Sequence, residues 1–338
     1  MGYTLSTLKV IKSNGFNVHL IHWDNKKITP YEIDHKLGIN IYPKSHYTYN
    51  SLKNLVDKIN PILVYVSGWQ DKDYLKICYN LRKHSIKIVV GFDDQWNGTI
   101  KQKFASILGF LGFFKLFYSH AWVSGFNQFE YAKRLGFKKE DIIYDLLSAD
   151  LSLFQKSFKL TQQKKIESYP HRFLFVGRFE DTKGIDILLN AWSSIENNKG
   201  WELCLIGSGS FKINTNNYKN LIVKDFLQPD LLVKEITNCG FFILPSKFEP
   251  WGVVVHEFAA AGLPLLLTYS VGAASSFLIP GYNGYIVKNN NLKDLVDKLI
   301  KIINTNDIEL IQMMINSNQL SKRISPITSF HNLISILD

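Results

Sequence analysis

The stretch that decides the fold reads Phe242-Ile-Leu-Pro-Ser-Lys-Phe-Glu-Pro-Trp-Gly-Val-Val-Val-His-Glu-Phe-Ala-Ala-Ala-Gly-Leu-Pro264. Its apolar beginning predicts the end of a buried strand, and prolines at 245 and 250 then break the chain. Residues 252–261 predict a helix, which Gly262 and Pro264 close. A strand, a turn and a helix in this order are typical of an α/β fold.

Two carboxylates lie in this stretch. The helical spacing puts Glu257 on an otherwise apolar face, where a carboxylate is costly unless a partner satisfies it. Its companions on that face are Val253, Val254, Phe258 and Ala261. Glu249 falls in the strand-to-helix turn, where open α/β sheets place their ligands. These residues alone leave two interpretations open: Glu257 pairs with a buried cation while Glu249 caps the helix, or both bind a ligand.

A second segment, Phe175-Val-Gly-Arg-Phe-Glu-Asp-Thr-Lys-Gly184, puts Arg178 at a strand end and Lys183 in the first turn of a helix. A cation there opposes the helix dipole by about 0.3–1 kcal/mol. A phosphate between the helix amides and the two cations would reverse that cost. The other interpretation is two solvated surface cations. Leu205-Ile-Gly-Ser-Gly209 predicts a glycine turn after a strand.

The order Glu-x7-Glu, framed as Pro-Ser-x-x-Glu-Pro-Trp-Gly, resembles the signature of the retaining nucleotide-sugar glycosyltransferases of family 4. The segment Gly-Arg-x4-Lys-Gly resembles the diphosphate-binding segment of that family. The resemblance implies the GT-B fold, an α/β architecture with two Rossmann-like parallel-sheet domains facing a cleft. It also implies a nucleotide-diphosphate sugar as the donor.

By this resemblance, Arg178 and Lys183 stabilise the leaving phosphate, Glu249 binds the donor sugar and Glu257 binds the ribose. The remaining donor-binding residues implied by the resemblance are Gly207, Gly209, Phe226, Leu227, Trp251, Gly252 and Val253. No metal is expected, since two side-chain cations and a helix dipole neutralise the diphosphate. Asp71-Lys-Asp73 has a metal-binding spacing but begins a helix, which predicts a cap. No cofactor is expected besides the sugar donor.

The first half of the chain departs from the family pattern. Where the family has a histidine, the sequence reads Gly91-Phe-Asp-Asp-Gln-Trp96, so Asp93 takes its place. Asp93 is predicted either to assist catalysis, by binding a sugar hydroxyl or receiving the acceptor's proton, or to cap the next helix. Trp69, Trp96 and Asp94 are predicted on the acceptor side.

Alternating strands and helices predict residues 1–150 as an acceptor-side domain and 172–306 as the donor-binding domain. The polar residues 151–171 predict a linker, and helices in 307–338 are expected to cross back towards the first domain. A helix at Leu5–Ser13 follows a glycine turn at Gly2 with no strand before it. We therefore expect the first domain to lack its first strand, which would lie between strands at 17–23 and 62–66.

Composition narrows the class further. Hydrophobic residues make up 46% of the 338 and charged residues 20%, as in globular enzymes. The net charge of +10 predicts an anionic partner, and no nucleic-acid recognition module accompanies it. The apolar, lysine-bearing residues 100–117 predict either a buried core helix or a membrane-surface helix. A cytoplasmic protein, either free or peripheral at the inner face of the membrane, is expected from the absence of a disulfide pattern or spanning segment.

The function predicted from these features is retaining transfer of a sugar to a hydroxyl of a glycan or lipid-linked glycan, in surface polysaccharide biosynthesis. A non-catalytic nucleotide-sugar-binding subunit of a glycan-assembly complex is the main alternative, because Asp93 replaces the histidine. A nucleic-acid binder and a nucleotide-sugar epimerase of the same fold fit the residues less well.

Overall fold

Two separately packed units make up the chain: Met1–Ser148 with Ile324–Asp338, and Ala149–Arg323. The computed structural model describes residues 2–24, 38–149 and 151–337. In both units every strand pair is parallel, as the alternation of strands and helices predicts. The predicted α/β class with parallel sheets is therefore confirmed.

The described residues of the first unit form two sheets. Its strands are β1 (His19–His22), β2 (Asn40–Pro43), β3 (Leu63–Ser67), β4 (Lys87–Phe92), β5 (His120–Val123) and β6 (Ile142–Ile143). Strand β1 pairs with β2, and the order of the other sheet is β3-β4-β5-β6. Among the described strands, β1 and β3 belong to different sheets, and none pairs with both of them.

In the described part of the first unit, one helix precedes these strands and four connect them. They are α1 (Gly2–Ser13), α2 (Tyr49–Ile59), α3 (Lys72–Lys83), α4 (Ile100–Phe110) and α5 (Phe126–Arg134). Asp71 caps α3 by accepting hydrogen bonds from the amides of Asp73 and Tyr74, at 2.8 and 3.0 Å. The predicted capping role of Asp71 is confirmed.

The second unit is built on one six-stranded sheet, ordered β12-β11-β10-β7-β8-β9. These strands are β7 (Arg172–Val176), β8 (Glu202–Ile206), β9 (Leu221–Lys224), β10 (Phe241–Leu244), β11 (Leu265–Thr268) and β12 (Gly284–Val287). Strands β7 and β10 are central and fully apolar where they pair, so the core of this unit lies along them.

Helices cover both faces of this sheet. They are α6 (Leu151–Glu167), α7 (Ile185–Ser193), α8 (Pro229–Ile236), α9 (Val253–Ala260), α10 (Ala274–Phe277), α11 (Leu292–Ile303) and α12 (Asp307–Ser321). A last helix, α13 (Pro326–Ile334), packs against α1 in the first unit, whereas α12 packs against α9 in the second. Of the predicted returning tail, only the part after residue 323 belongs to the first unit.

The prediction that residues 151–171 form a linker is wrong, because α6 occupies most of this segment. Phe154 and Phe158, one helical turn apart, are buried and hold α6 in the second unit. Lys165 is also buried, and its ammonium donates to the carbonyls of Ile236 (2.9 Å) and Cys239 (2.7 Å). Burial lowers the pKa of Lys165 to about 8.

The predicted helix at residues 100–117 divides into α4 and a 3-10 helix, Phe113–Leu116. Its large apolar side chains are mostly exposed, so the buried-core interpretation is wrong. Across the described residues, no helix is both long and apolar enough to span a bilayer.

Candidate active site

Three turns lie side by side at one edge of the second unit's sheet. The first turn (residues 177–184) follows β7, the second (207–211) follows β8 and the third (245–252) follows β10. Strands β10, β7 and β8 are adjacent and parallel, so their carboxyl ends meet at this edge. Most predicted donor-binding residues fall in the three turns: Arg178, Lys183, Gly207, Gly209, Glu249, Trp251 and Gly252.

An ion pair joins the first turn to the third. The ammonium of Lys183 donates to a carboxylate oxygen of Glu249, and the two side chains are only 15% and 13% exposed. The positive charge of Lys183 lies near the amino end of a helix, where the helix dipole disfavours it. The carboxylate of Glu249 compensates this charge. Sequence analysis assigned the two residues to different parts of the donor, and the structure brings them into contact.

The backbone of Glu249 is fixed by the segment after β11. Its amide donates to the carbonyl of Ser270 at 3.3 Å, and its carbonyl accepts from the amide of Gly272 at 3.1 Å. Two residues further on, the amide of Ala273 donates to the carbonyl of Trp251 at 2.9 Å. These bonds hold the carboxylate of Glu249 on ordered backbone rather than on a free loop.

Lys247, which sequence analysis did not single out, ties the first and third turns together. Its ammonium donates to carboxylate oxygens of Asp181 (2.6 Å) and Asp186 (2.8 Å), and its amide donates to the carbonyl of Thr182 at 2.9 Å. Hydrogen bonds to Asp181 and Asp186 raise the pKa of Lys247. The one signal in the sequence is a lysine between two prolines of the third turn.

The backbones of the first and second turns approach each other closely. A Cβ on Gly207, whose φ is +151°, would lie 1.9 Å from the carbonyl oxygen of Gly177. On Gly209 it would lie 2.3 Å from the carbonyl oxygen of Phe179. Only glycine fits at these positions, which explains the glycine turn after β8.

Gly252 starts α9 from a left-handed conformation, with φ of +89°. Val253, the first residue of α9, is half-buried, as is Glu257. The most buried residues of α9 are instead Val255, His256, Phe258, Ala259 and Ala260. The prediction that Glu257 lies on a buried face is therefore wrong, because Val253, Val254 and Glu257 of that face are only half-buried.

Two buried polar atoms near these turns have no hydrogen-bond partner among the described residues. They are the indole Nε1 of Trp251 and the hydroxyl of Ser246. A buried donor without a partner costs about 1–3 kcal/mol.

The other predicted donor-binding residues are more peripheral. Arg178 is 61% exposed and pairs with Glu180 at 2.9 Å. Phe226 is exposed and Leu227 half-buried, just beyond β9 at the edge of the sheet. All three lie just beyond the carboxyl ends of strands, as predicted for Arg178.

The predicted acceptor-side residues belong to the first unit. Asp93 and Asp94 are exposed just after β4, and the carbonyl of Asp93 accepts from the side-chain amide of Gln128 at 2.9 Å. Trp69 packs edge-on against Phe92, with ring centroids 5.2 Å apart, so packing uses part of its surface.

The ring of Trp96 lies 4.6 Å from the guanidinium of Arg134. Both tryptophans are half-buried against the core of this unit.

His256 is a buried structural residue. Its Nδ1 accepts from the amide of Ala149 (3.0 Å), so Nε2 carries the proton and donates to the carbonyl of Ser321 (2.8 Å). Burial lowers its pKa to about 4. Within the described ranges, no three His, Cys, Asp or Glu side chains cluster closely enough to hold a metal ion.

Comparison with known proteins relates this unit to glycosyltransferases. Residues 157–320 match the family model described as Glycosyl transferases group 1. An uncharacterized glycosyltransferase of Methanocaldococcus jannaschii is 32% identical over 161 residues, 45% of this chain and 43% of that relative. The capsular polysaccharide biosynthesis glycosyltransferase CapM of Staphylococcus aureus is 28% identical over 169 residues, 45% of this chain and 43% of CapM. The aligned segments thus span about half the length of these relatives or less.

The fold extends the likeness to the whole chain. The crystal structure of HepE from Anabaena, in complex with UDP and glucose, superposes with a TM-score of 0.72 and 15% identity, covering 100% of this chain and 96% of HepE. At this identity the likeness shows the fold, and it confirms the predicted pair of Rossmann-like domains of GT-B type. The sequence likeness to Glycosyl transferases group 1 is carried by residues 157–320, the segment that contains the three turns.

Proposed function

We propose that this protein is a retaining glycosyltransferase, which moves a sugar from a nucleotide-diphosphate sugar to a hydroxyl of a glycan or lipid-linked glycan. The observation that carries the proposal is the Lys183–Glu249 pair at the carboxyl edge of a parallel sheet, inside the domain that matches the glycosyl transferases group 1 model. That edge is where α/β sheets bind their ligands. The names of CapM and of related enzymes support surface polysaccharide as the product.

In this proposal Lys183 binds the diphosphate of the donor and shares its ammonium between a phosphate oxygen and Glu249. Arg178, exposed beside the same turn, adds a second cation. Both charges stabilise the phosphate as the bond from the sugar's anomeric carbon to its oxygen breaks. The acceptor hydroxyl attacks the same face, and its proton passes to the leaving phosphate oxygen, so no protein nucleophile is required.

Glu249 would bind hydroxyls of the donor sugar, and Glu257 those of the ribose. The half-buried position of Glu257 suits a group that exchanges water for a ligand, since its desolvation is small. Asp93, Asp94, Trp69 and Trp96 of the first unit would serve the acceptor side. The reaction would need neither metal nor cofactor and would take place in the cytoplasm, at the inner face of the membrane when the acceptor is lipid-linked.

The alternative, a non-catalytic nucleotide-sugar-binding subunit, is favoured by Asp93 at the position of the family's histidine. Incubation with a panel of nucleotide sugars, with and without membrane extract as acceptor, separates the two. Release of free nucleoside diphosphate from one donor, increased by the acceptor, supports the enzyme. Tight binding of a donor with no release from any member of the panel supports the alternative.

A further inference from the structure

Helix α4 presents its apolar side chains outward. Large apolar residues recur at 100, 104, 107 and 111, a spacing that forms one stripe on a helix. This stripe and the adjoining residues form an exposed surface, the apolar patch: Ile100, Phe104, Ile107, Phe110, Leu111 and Leu116. Phe110 is 88% exposed and Leu111 73%. Single exposed apolar side chains are ordinary, but a contiguous patch of this size marks an interaction surface.

Packing fixes α4 in this orientation. A Cβ on Gly109, on the inner side, would lie 2.4 Å from the backbone of Leu135, so α4 sits directly on the end of α5. The side-chain amide of Gln102 donates to the carbonyl of Gln95 at 2.8 Å, which anchors the first turn. A rotation that buried the apolar patch would drive bulky side chains into the space that Gly109 leaves. The patch is therefore a built feature of the fold.

A basic cavity of about 470 Å³ lies beside the patch, at the amino ends of β4 and β5. Three cations line it, Arg82, Lys87 and Lys115, against one carboxylate, Asp141. Lys115 lies in the same 3-10 helix as Leu116 of the apolar patch, so the two features are continuous. The Nε of Arg82 is buried and has no hydrogen-bond partner among the described residues.

We propose that this face of the first unit binds an anionic phospholipid membrane. The apolar patch enters the interfacial region of the bilayer, and the basic cavity holds the phosphate of a lipid headgroup. Arginine and lysine donors around a cavity suit a phosphate, and apolar side chains beside them suit the acyl chains that carry it. The cavity lies at the amino edge of its sheet, opposite to the edge where the proposed function places ligands in such sheets.

Charge complementarity selects the membrane over other occupants. Lys101 and Lys103 flank the stripe and are exposed, and no Asp or Glu occurs between residues 99 and 119. Juxtaposed apolar and basic residues are typical of helices that lie in the interface of anionic membranes. This proposal goes beyond the proposed function, and membrane binding can be measured without any sugar transfer.

Flotation with vesicles tests it, using phosphatidylcholine alone and equal parts of phosphatidylcholine and phosphatidylglycerol. Three proteins are compared: wild type, Phe110→Ser/Leu111→Ser in the patch and Lys87→Gln/Lys115→Gln in the cavity. All four positions are exposed, so the fold should tolerate the changes. We expect wild type to bind the phosphatidylglycerol vesicles, and each variant to bind them at least about tenfold more weakly.

Matched controls in the second unit separate these effects from general loss of charge or apolar surface. Ile308→Ser removes an isoleucine that is 82% exposed, and Lys212→Gln/Lys293→Gln removes two exposed lysines. Both control proteins should bind like wild type. Wild type that stays unbound, or patch variants that bind as wild type does, would overturn the proposal.

If the cavity variant binds vesicles as wild type does, the basic cavity does not bind a lipid headgroup. Analytical ultracentrifugation tests whether the patch binds a second copy of the protein instead. That would be the conclusion if wild type self-associates, the patch variant alone does not, and vesicle binding is the same in both. Nucleoside diphosphate binding, measured calorimetrically on the same proteins, reports on the proposed function separately.

Discussion

Gly184 and Pro245 approach so closely that a Cβ on Gly184 would lie 2.2 Å from the carbonyl oxygen of Pro245. The contact joins the first and third turns of the candidate active site through backbone alone. Gly184 also has a φ of +68°, in the left-handed region that favours glycine. The spacing between Lys183 and Glu249 therefore depends on the absence of a side chain at Gly184.

Alanine at position 184 should loosen the site. We expect Gly184→Ala to destabilise the second unit by about 2–4 kcal/mol, because strain at positive φ adds to the clash with a backbone oxygen. Nucleoside diphosphate binding should weaken as the two turns move apart. Thermal unfolding and calorimetric titration measure both effects.

Gly200→Ala is the matched control for this change. Gly200 has a φ of +78°, but a Cβ there would meet nothing within 4 Å. Gly200→Ala should therefore lower the free energy of unfolding only by the conformational strain, about 1–2 kcal/mol, and leave nucleotide binding intact. Equal effects of the two substitutions would show that the contact between Gly184 and Pro245 is unimportant.

Neutralising either carboxylate of the candidate site should impair sugar transfer, but in different ways. Glu257→Gln should mainly weaken nucleotide binding, whereas Glu249→Gln should lower turnover more than it weakens binding of the bare nucleotide. Each replaces a charged acceptor by a neutral one, and hydrogen bonds to charged groups are worth about 1.5–3 kcal/mol. Steady-state kinetics with the identified donor, and titration with its nucleoside diphosphate, separate these effects.

Glu196→Gln supplies the control, since Glu196 is an exposed carboxylate of the same unit outside the three turns. It should match wild type in both measurements. If Glu249→Gln and Glu257→Gln also keep wild-type activity, the assignment of the donor site is refuted.

Side-chain cations, rather than a metal, are proposed to neutralise the diphosphate. Transfer should therefore be unchanged in EDTA, and Lys183→Gln should weaken binding of the nucleoside diphosphate much more than that of the nucleoside. Activity assays in chelator and paired titrations measure the two outcomes. Activity that EDTA abolishes and Mg²⁺ or Mn²⁺ restores would contradict the proposal.

Local pattern predicts much of the second unit, because its strands are apolar and bounded by turn residues. The apolar residues from Phe242 belong to β10, and the glycine turn at Gly207 follows β8, both as expected from the sequence. Pattern fails for α6, whose polar composition hides the paired Phe154 and Phe158. It was the partner surface, not the local composition, that made this segment a helix of the core.

Sequence also could not tell which way α4 faces. Its stripe predicts an apolar face, but only the contact of Gly109 with Leu135 shows that the opposite face is the buried one. Lys247 was missed for a similar reason, since its partners Asp181 and Asp186 lie in another turn. Periodicity identifies the residues that share one face of a helix, whereas tertiary contacts determine whether that face is buried.

The buried His256 should make the protein sensitive to mild acid. Burial lowers its pKa to about 4, below the value of about 6.5 of an unfolded histidine, so the unfolded chain binds the extra proton between these values. Stability is therefore full above pH 6.5 and falls as the pH drops towards 4. The expected loss is about 3 kcal/mol over the window, with about 2 kcal/mol of it by pH 5.

Urea unfolding at pH 7 and pH 5, for wild type and His256→Gln, isolates this contribution. Glutamine cannot titrate but retains a donor and an acceptor for Ser321 and Ala149. The variant should be less stable than wild type at pH 7, yet lose about 2 kcal/mol less on acidification. Carboxylates titrate equally in both proteins and cancel in the difference. An identical loss in the two proteins would mean that His256 is already protonated, or solvated, in the folded state at pH 5.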